Sequence, residues 1–242
     1  CEDFCNIDGK ELYPESPMEK LAKEQPDLMI NIAASPFAVN QINHRAEVLE
    51  WNTKKYKLPV FYVNHIGAQT ELIFDGVSCV YNNKGEVIDQ LPFFEEYFSI
   101  YDTKQLLAEK RASIPSKYEK IEAALVLGIK DYFKKLGFSK AVLGLSGGID
   151  SALTLALAVK ALGRDNVLPI LMPSQFSSTH SVDDALQLAN NLGSPNNIIE
   201  IKDLFELFSD KLTPSFLGKD FDVTEENIQA RIRGVLLMAM SN

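Results

Sequence analysis

Apolar and polar positions along this 242-residue chain change period several times, and the changes divide it. From Pro26 to about Phe98, short apolar runs alternate with turn residues. "PDLMINIA" and "LPVFYVNHIG" are bounded by Pro, Gly or Asn and predict buried strands. Between them, "NQINHRAEVLEWNTKKYK" has helical spacing. "TELIFDGVSCVYNNKGEVIDQL" alternates, and Asn82-Asn83-Lys84-Gly85 predicts the turn of a hairpin. The expectation is strand, helix, strand and then an antiparallel hairpin, in a layered α/β domain.

Residues 99–116 are polar and charged, with Pro115 as punctuation, and read as a linker. The expected boundary lies near 110, giving domains over 1–110 and 111–242. Beyond it, "KYEKIEAALVLGIKDYFKKLG" predicts an amphipathic helix closed by Gly137. "KAVLGL" predicts a strand, Asp150 to Leu162 a helix, "NVLPILMPS" a strand, "SVDDALQLANNLG" a helix and "NNIIEI" a strand. Alternation at these lengths predicts a doubly wound parallel sheet.

Composition removes several function classes. Net charge is −9, which argues against binding nucleic acid through phosphate neutralisation. No apolar stretch reaches the roughly 18 residues of a membrane span. Cys1, Cys5 and Cys79 are too few for a disulfide framework and too scattered for zinc, so a cytoplasmic setting is expected. The chain opens at Cys1 without a methionine and stops just after the helical "IRGVLLMAM", so it reads as a piece of a longer protein.

The chemistry concentrates in "LGLSGGIDSALTLAL". Ser146, Gly147 and Gly148 fall between a predicted strand and a predicted helix. Two glycines let the backbone approach an anion, and the helix dipole favours negative charge there. Gly144, Leu145, Ser146, Gly147, Gly148, Ile149, Asp150 and Ser151 are therefore candidates for a phosphate cradle. A Walker loop needs a Lys before its final Ser or Thr, and GxGxxG is also absent. Asp150 beside a phosphate calls for a mediating cation, and Mg²⁺ suits one carboxylate plus phosphate oxygens. Asp150 also suits a helix N-terminus, and the two roles are compatible.

"SGGIDS" resembles the pyrophosphate loop of the ATP pyrophosphatases. That resemblance implies that ATP is split between its α and β phosphates, with AMP passed to a carboxylate or carbonyl oxygen. "LMPSQFSSTHSVDDALQLANNLG" and "VTEENIQARIRGVLLMAMSN" resemble NAD synthetase. The resemblance implies that Met172 and Ser174 border the ATP adenine and ribose. It also implies that Asn227 and Arg231 lie near deamido-NAD, leaving open which of Arg231 and Arg233 points inward. "CEDF", "PDLMINIAASPFAVNQINHRAEVL" and "LPVFYVNHIGAQTELIFDGVS" resemble the second half of a nitrilase-type amidase. They are most similar to the glutaminase domain fused ahead of glutamine-dependent NAD synthetases.

The resemblance implies a C-terminal half of a nitrilase-like α/β sandwich followed by an ATP-pyrophosphatase domain. It makes Cys1 the nucleophile on glutamine, with Glu2, Ser35 and Gln41 at the glutamine site, and it implies a homo-oligomer. The match departs from the family where Cys5 replaces the usual Trp and where Gln41 replaces Lys or Arg, while Arg45 keeps the next family position. The glutamate base and lysine of nitrilase-type sites precede the cysteine and fall outside the chain. A rival reading is an asparagine-synthetase-like enzyme with an N-terminal cysteine nucleophile, but such chains open Cys-Gly, and here Glu2 follows. A tRNA-modifying pyrophosphatase is opposed by the acidic charge, and a non-catalytic remnant by the intact loop. His44, His65 and His180 carry no assigned role, and Trp51 and "FFEEYF" read as packing.

Overall fold

The computed structural model describes residues 4, 14–106, 114–216 and 223–241. The chain divides into two units, Cys1–Tyr132 and Phe133–Asn242.

In the first unit, helix α1 (Pro17–Lys23) begins with proline, whose missing N–H is no loss at that position. Strand β1 (Met29–Ala33), helix α2 (Gln41–Tyr56) and strand β2 (Val60–Asn64) form a βαβ unit with the two strands parallel. α2 ends at Lys57 in the left-handed conformation, its N–H bonded to the Thr53 carbonyl. Strands β3 (Ile66–Gln69) and β4 (Leu72–Asp75) pair with each other, while β5 (Cys79–Tyr81) and β6 (Val87–Gln90) extend the main sheet in the order β1-β2-β5-β6. Met29, Ala33, Val60 and Tyr62 bury one sheet face against Met18 of α1 and Val48 and Leu49 of α2. The apolar run of β1 is covered on that face alone among the described residues: Ile30 and Ile32 are 65% and 82% exposed.

The alternating stretch from Thr70 to Leu91 does not form one hairpin. β4 turns back on β3, and only β5 and β6 use the Asn82–Gly85 turn, where Asn82 Oδ1 accepts from the Lys84 and Glu86 N–H groups. The break is at Gly76 (φ +67°) and Val77 (φ +55°). Two successive left-handed residues end a strand, and a β-branched residue there gives no warning in the pattern.

Helix α3 (Lys117–Leu136) opens with a reciprocal cap: Ser116 Oγ accepts from Glu119 N–H, and Glu119 Oε2 accepts from Ser116 N–H. Asp131 on α3 accepts the Ala68 N–H at 2.8 Å and so ties the helix to β3. The described part of the expected linker has no helix or strand, and Tyr101 there donates to Asp89 at 2.8 Å.

The second unit has the predicted alternation. Strands β7 (Ala141–Gly144), β8 (Val167–Leu171) and β9 (Asn197–Ile198) are parallel, in the order β7-β8-β9, with α4 (Ile149–Leu162) and α5 (Thr179–Leu192) as crossovers. β8 sorts its side chains by period two. Val167 and Leu171 pack on Leu155, Ala158, Ala185 and Ala189 of α4 and α5. Ile170 and Met172 pack on Phe205 of α6 (Lys202–Phe216) and Ile232 of α7 (Val223–Ser241). Helices on both faces make the doubly wound layering expected from the sequence. β9 is shorter than "NNIIEI" suggested, and α1 and α6 are additional to the predicted elements. No described helix is long and apolar enough to cross a membrane.

Candidate active site

The ladder of β7 continues one residue past the strand, as Leu145 N–H donates to the Ile170 carbonyl at 2.9 Å. The chain then turns through Gly147 at φ +80° and enters α4 from Gly148. Gly147 has no room for a side chain, because a Cβ would collide with the carbonyl oxygen of Ser181. A Cβ on Gly144 would meet only the movable ends of side chains, the nearest being Met172 Cε at 3.2 Å.

The loop is braced by its own hydroxyls. Ser146 Oγ and Ser151 Oγ are 3.0 Å apart, Ser151 Oγ accepts from Ser146 N–H and donates to the Gly148 carbonyl, and Ser146 Oγ accepts from Gly148 N–H. The N–H groups of the first α4 turn have no acceptor within the helix, and Gly148 provides no side-chain cap. Asp150 stands exposed on that turn. Preset hydroxyls, unsatisfied N–H groups and a helix N-terminus together suit an anion.

A cavity of about 330 Å³ opens beside the loop. Gly144, Leu145, Ser146 and Met172 line it, together with Ser181, Leu237 and Arg233. Arg233 Nε donates to the Met172 carbonyl at 3.2 Å, and its partial burial lowers the guanidinium pKa. Ser174 borders a second cavity with Ser177, Glu200 and Lys202, and Ser174 N–H donates to Ser177 Oγ. Asn227 and Arg231 are brought together, since Arg231 Nη1 donates to the carbonyl and Oδ1 of Asn227, but both are exposed and neither lines the first cavity. Arg233, not singled out by the sequence over Arg231, is the arginine at the cavity. The buried Ile232 and Gln229 mark how α7 is oriented, a signal that spacing alone did not settle.

In the first unit, Ser35 follows β1, and Gln41 begins α2, both half-buried. Cys1 and Glu2 lie outside the described residues. Cys79 is fully buried, and burial pushes its thiol up to about 12, so it is no nucleophile at neutral pH. Among the described residues no group of three or more His, Cys, Asp and Glu could hold a metal ion. A single carboxylate, Asp150, beside an anion cradle fits a Mg²⁺ ion that arrives with substrate phosphates rather than one held in a protein cage.

The NAD synthase family model matches residues 121–242. The chain is 43% identical over its whole length to a glutamine-dependent NAD(+) synthetase of Synechocystis, of which it covers 45%. It is 37% identical, again over its whole length, to the glutamine-dependent NAD(+) synthetase of Thermotoga maritima, covering 47% of it. The glutamine-dependent NAD+ synthetase of Acinetobacter baumannii, solved in complex with ADP, superposes with a TM-score of 0.88 at 39% identity, over 93% of this chain and 43% of that one. The chain thus spans less than half the length of these relatives. Its strand–SGGIDS–helix core, its cavity and its likeness along the whole length agree, and the chain belongs to the NAD synthase family.

Proposed function

We propose that this chain is part of a glutamine-dependent NAD synthetase. Residues 1–110 belong to a nitrilase-like glutamine amidohydrolase, and residues 111–242 to the ATP-pyrophosphatase domain. The enzyme is a homo-oligomer that acts in the cytoplasm. One observation carries the reading: the Ser146–Ser151 loop opens, at the end of a parallel strand, on a cavity large enough for a nucleotide.

In this reading ATP sits with its β and γ phosphates on Gly144 to Ser151 and its adenosine against Met172, with Ser174 toward the ribose. The nicotinate carboxylate of deamido-NAD attacks the α phosphorus. A P–O bond forms to the carboxylate, the bond to the β-phosphate oxygen breaks, and pyrophosphate leaves. The N–H groups of the α4 turn and the hydroxyls of Ser146 and Ser151 hold the charge that develops on the leaving group. Asp150 would hold Mg²⁺, which neutralises phosphate charge when bound. Asn227 and Arg231 receive the dinucleotide. Ammonia then attacks the acyl carbon, AMP departs, and the amide of NAD remains.

Ammonia comes from glutamine. The Cys1 thiolate attacks the side-chain amide, ammonia leaves, and water hydrolyses the thioester. Glu2, Ser35 and Gln41 contact the glutamine. The acidic charge and the relatives found favour neither an asparagine-synthetase-like nor a tRNA-directed activity. The test is substitution in the full-length enzyme carrying this sequence. Cys1→Ala should abolish glutamine-driven synthesis and spare ammonia-driven synthesis, whereas Asp150→Asn should impair both. Intact glutamine use in Cys1→Ala would overturn the amidase assignment.

A further inference from the structure

We propose that Asn64, Arg45 and Asp75 form a buried clamp that positions the Ser35–Pro36 backbone for a primary-amide substrate. The proposal rests on the reading that the first unit carries the glutamine site.

β1 and β2 run parallel, with Ala33 opposite Asn64, so the Ala34–Asn40 connection lies at the carboxyl ends of two parallel strands. That edge is where open α/β sheets receive ligands. The connection there is held by side chains. Asn64 Oδ1 accepts the Ser35 N–H at 2.8 Å, and Asn64 Nδ2 donates to the Ser35 carbonyl at 3.3 Å. Arg45 Nη2, reaching from α2, donates to the Pro36 carbonyl at 3.3 Å and to Asp75 Oδ1 at 2.8 Å. Asn64 Nδ2 closes the circuit with Asp75 Oδ1 at 3.3 Å and the Gly76 carbonyl at 2.9 Å. Arg45, Asn64 and Asp75 are only 8%, 7% and 1% exposed.

Two features set this network apart from ordinary core packing. A buried Arg–Asp pair adds little stability over apolar residues of the same volume, so its value here is in fixing geometry. The clamp also grips the Gly76–Val77 bend, where a valine at φ +55° is strained and must be held by its surroundings. Asn64 joins that strained bend to Ser35 through one amide group. Disturbing the clamp therefore shifts the Ser35 segment directly.

The test is steady-state pyrophosphate release by the full-length enzyme, driven by glutamine or by ammonium. Asp75→Asn keeps the shape of the side chain and removes its charge. The expected result is a rise of about tenfold in KM for glutamine, with ammonium-driven turnover within about twofold of wild type. Arg45→Lys, which keeps the charge but is too short to place its nitrogen where Nη2 bonds both Asp75 and the Pro36 carbonyl, should do the same. Combining Asp75→Asn with Ser35→Ala should cost less than the sum of the single effects, because both act through one segment. An unchanged glutamine KM in both clamp variants, or strict additivity with Ser35→Ala, would overturn the clamp. A wild-type enzyme that uses ammonium and ignores glutamine would instead overturn the glutaminase reading beneath it.

Discussion

Gly147 and Ser181 touch backbone to backbone: a Cβ on Gly147 would strike the Ser181 carbonyl oxygen and come within 2.9 Å of the Ser181 Cα. The contact joins the SGGIDS turn to the first turn of α5, whose Ser178 side chain caps it by accepting from Ser181 N–H. The loop is thus seated against a second helix start as well as opening its own. Its shape is set by neighbours and by the left-handed φ of Gly147 together.

Gly147→Ala is therefore expected to fail twice, by collision and by backbone strain. The strain alone costs about 1–3 kcal/mol, and the loop must also move to relieve the collision. Thermal unfolding should show the destabilisation, and ATP-dependent pyrophosphate release should be lost. Near-normal activity in Gly147→Ala would mean that the loop is not held as described.

Arg231 and Arg233 should separate by substrate. Arg233 lines the cavity and holds the Met172 carbonyl, so Arg233→Ala should release the Met172 wall of the cavity and raise KM for ATP about tenfold. Arg231 is exposed and paired with Asn227, so Arg231→Ala should leave KM for ATP within about twofold and raise KM for deamido-NAD. Initial rates with each substrate varied in turn would decide this. The reverse pattern would exchange the two roles.

How much of this was legible beforehand differs by element. The β7–loop–α4 unit was plain, because an apolar run, two glycines and an apolar helix are all local signals within about twenty residues. The β3–β4 pairing was not, because it turns at left-handed Thr70 and ends at left-handed Val77, and neither β-branched residue gives a hint of that conformation. Asn227 and Arg231 lie four apart on one helix face and bond to each other. Arg233 was not distinguished from Arg231, because the rotation of α7 is set by burial of Ile232 against Ile170 and Met172, partners some sixty residues away in the chain. Ser35 could be named from sequence, but Asn64 and Asp75, which hold it, come from other strands and carry no local motif.

Cys79 supplies a pH dependence with a definite sign. Its thiol is raised from 9.0 to about 12 by burial in the fold, so the fold favours the protonated form. That contribution is complete below about pH 9 and is lost as pH rises toward 12. The stability advantage of wild type over Cys79→Ala should shrink by about 1 kcal/mol between roughly pH 8 and pH 10. Urea midpoints at the two pH values would measure it. An advantage that grows with pH would contradict the burial of this thiol.

The most direct test of the central claim is pyrophosphate release by the full-length enzyme with ATP, Mg²⁺ and deamido-NAD, once with glutamine and once with ammonium. Release is expected with either nitrogen source, and none when deamido-NAD is withheld. Absence of release with deamido-NAD under both conditions would contradict that claim.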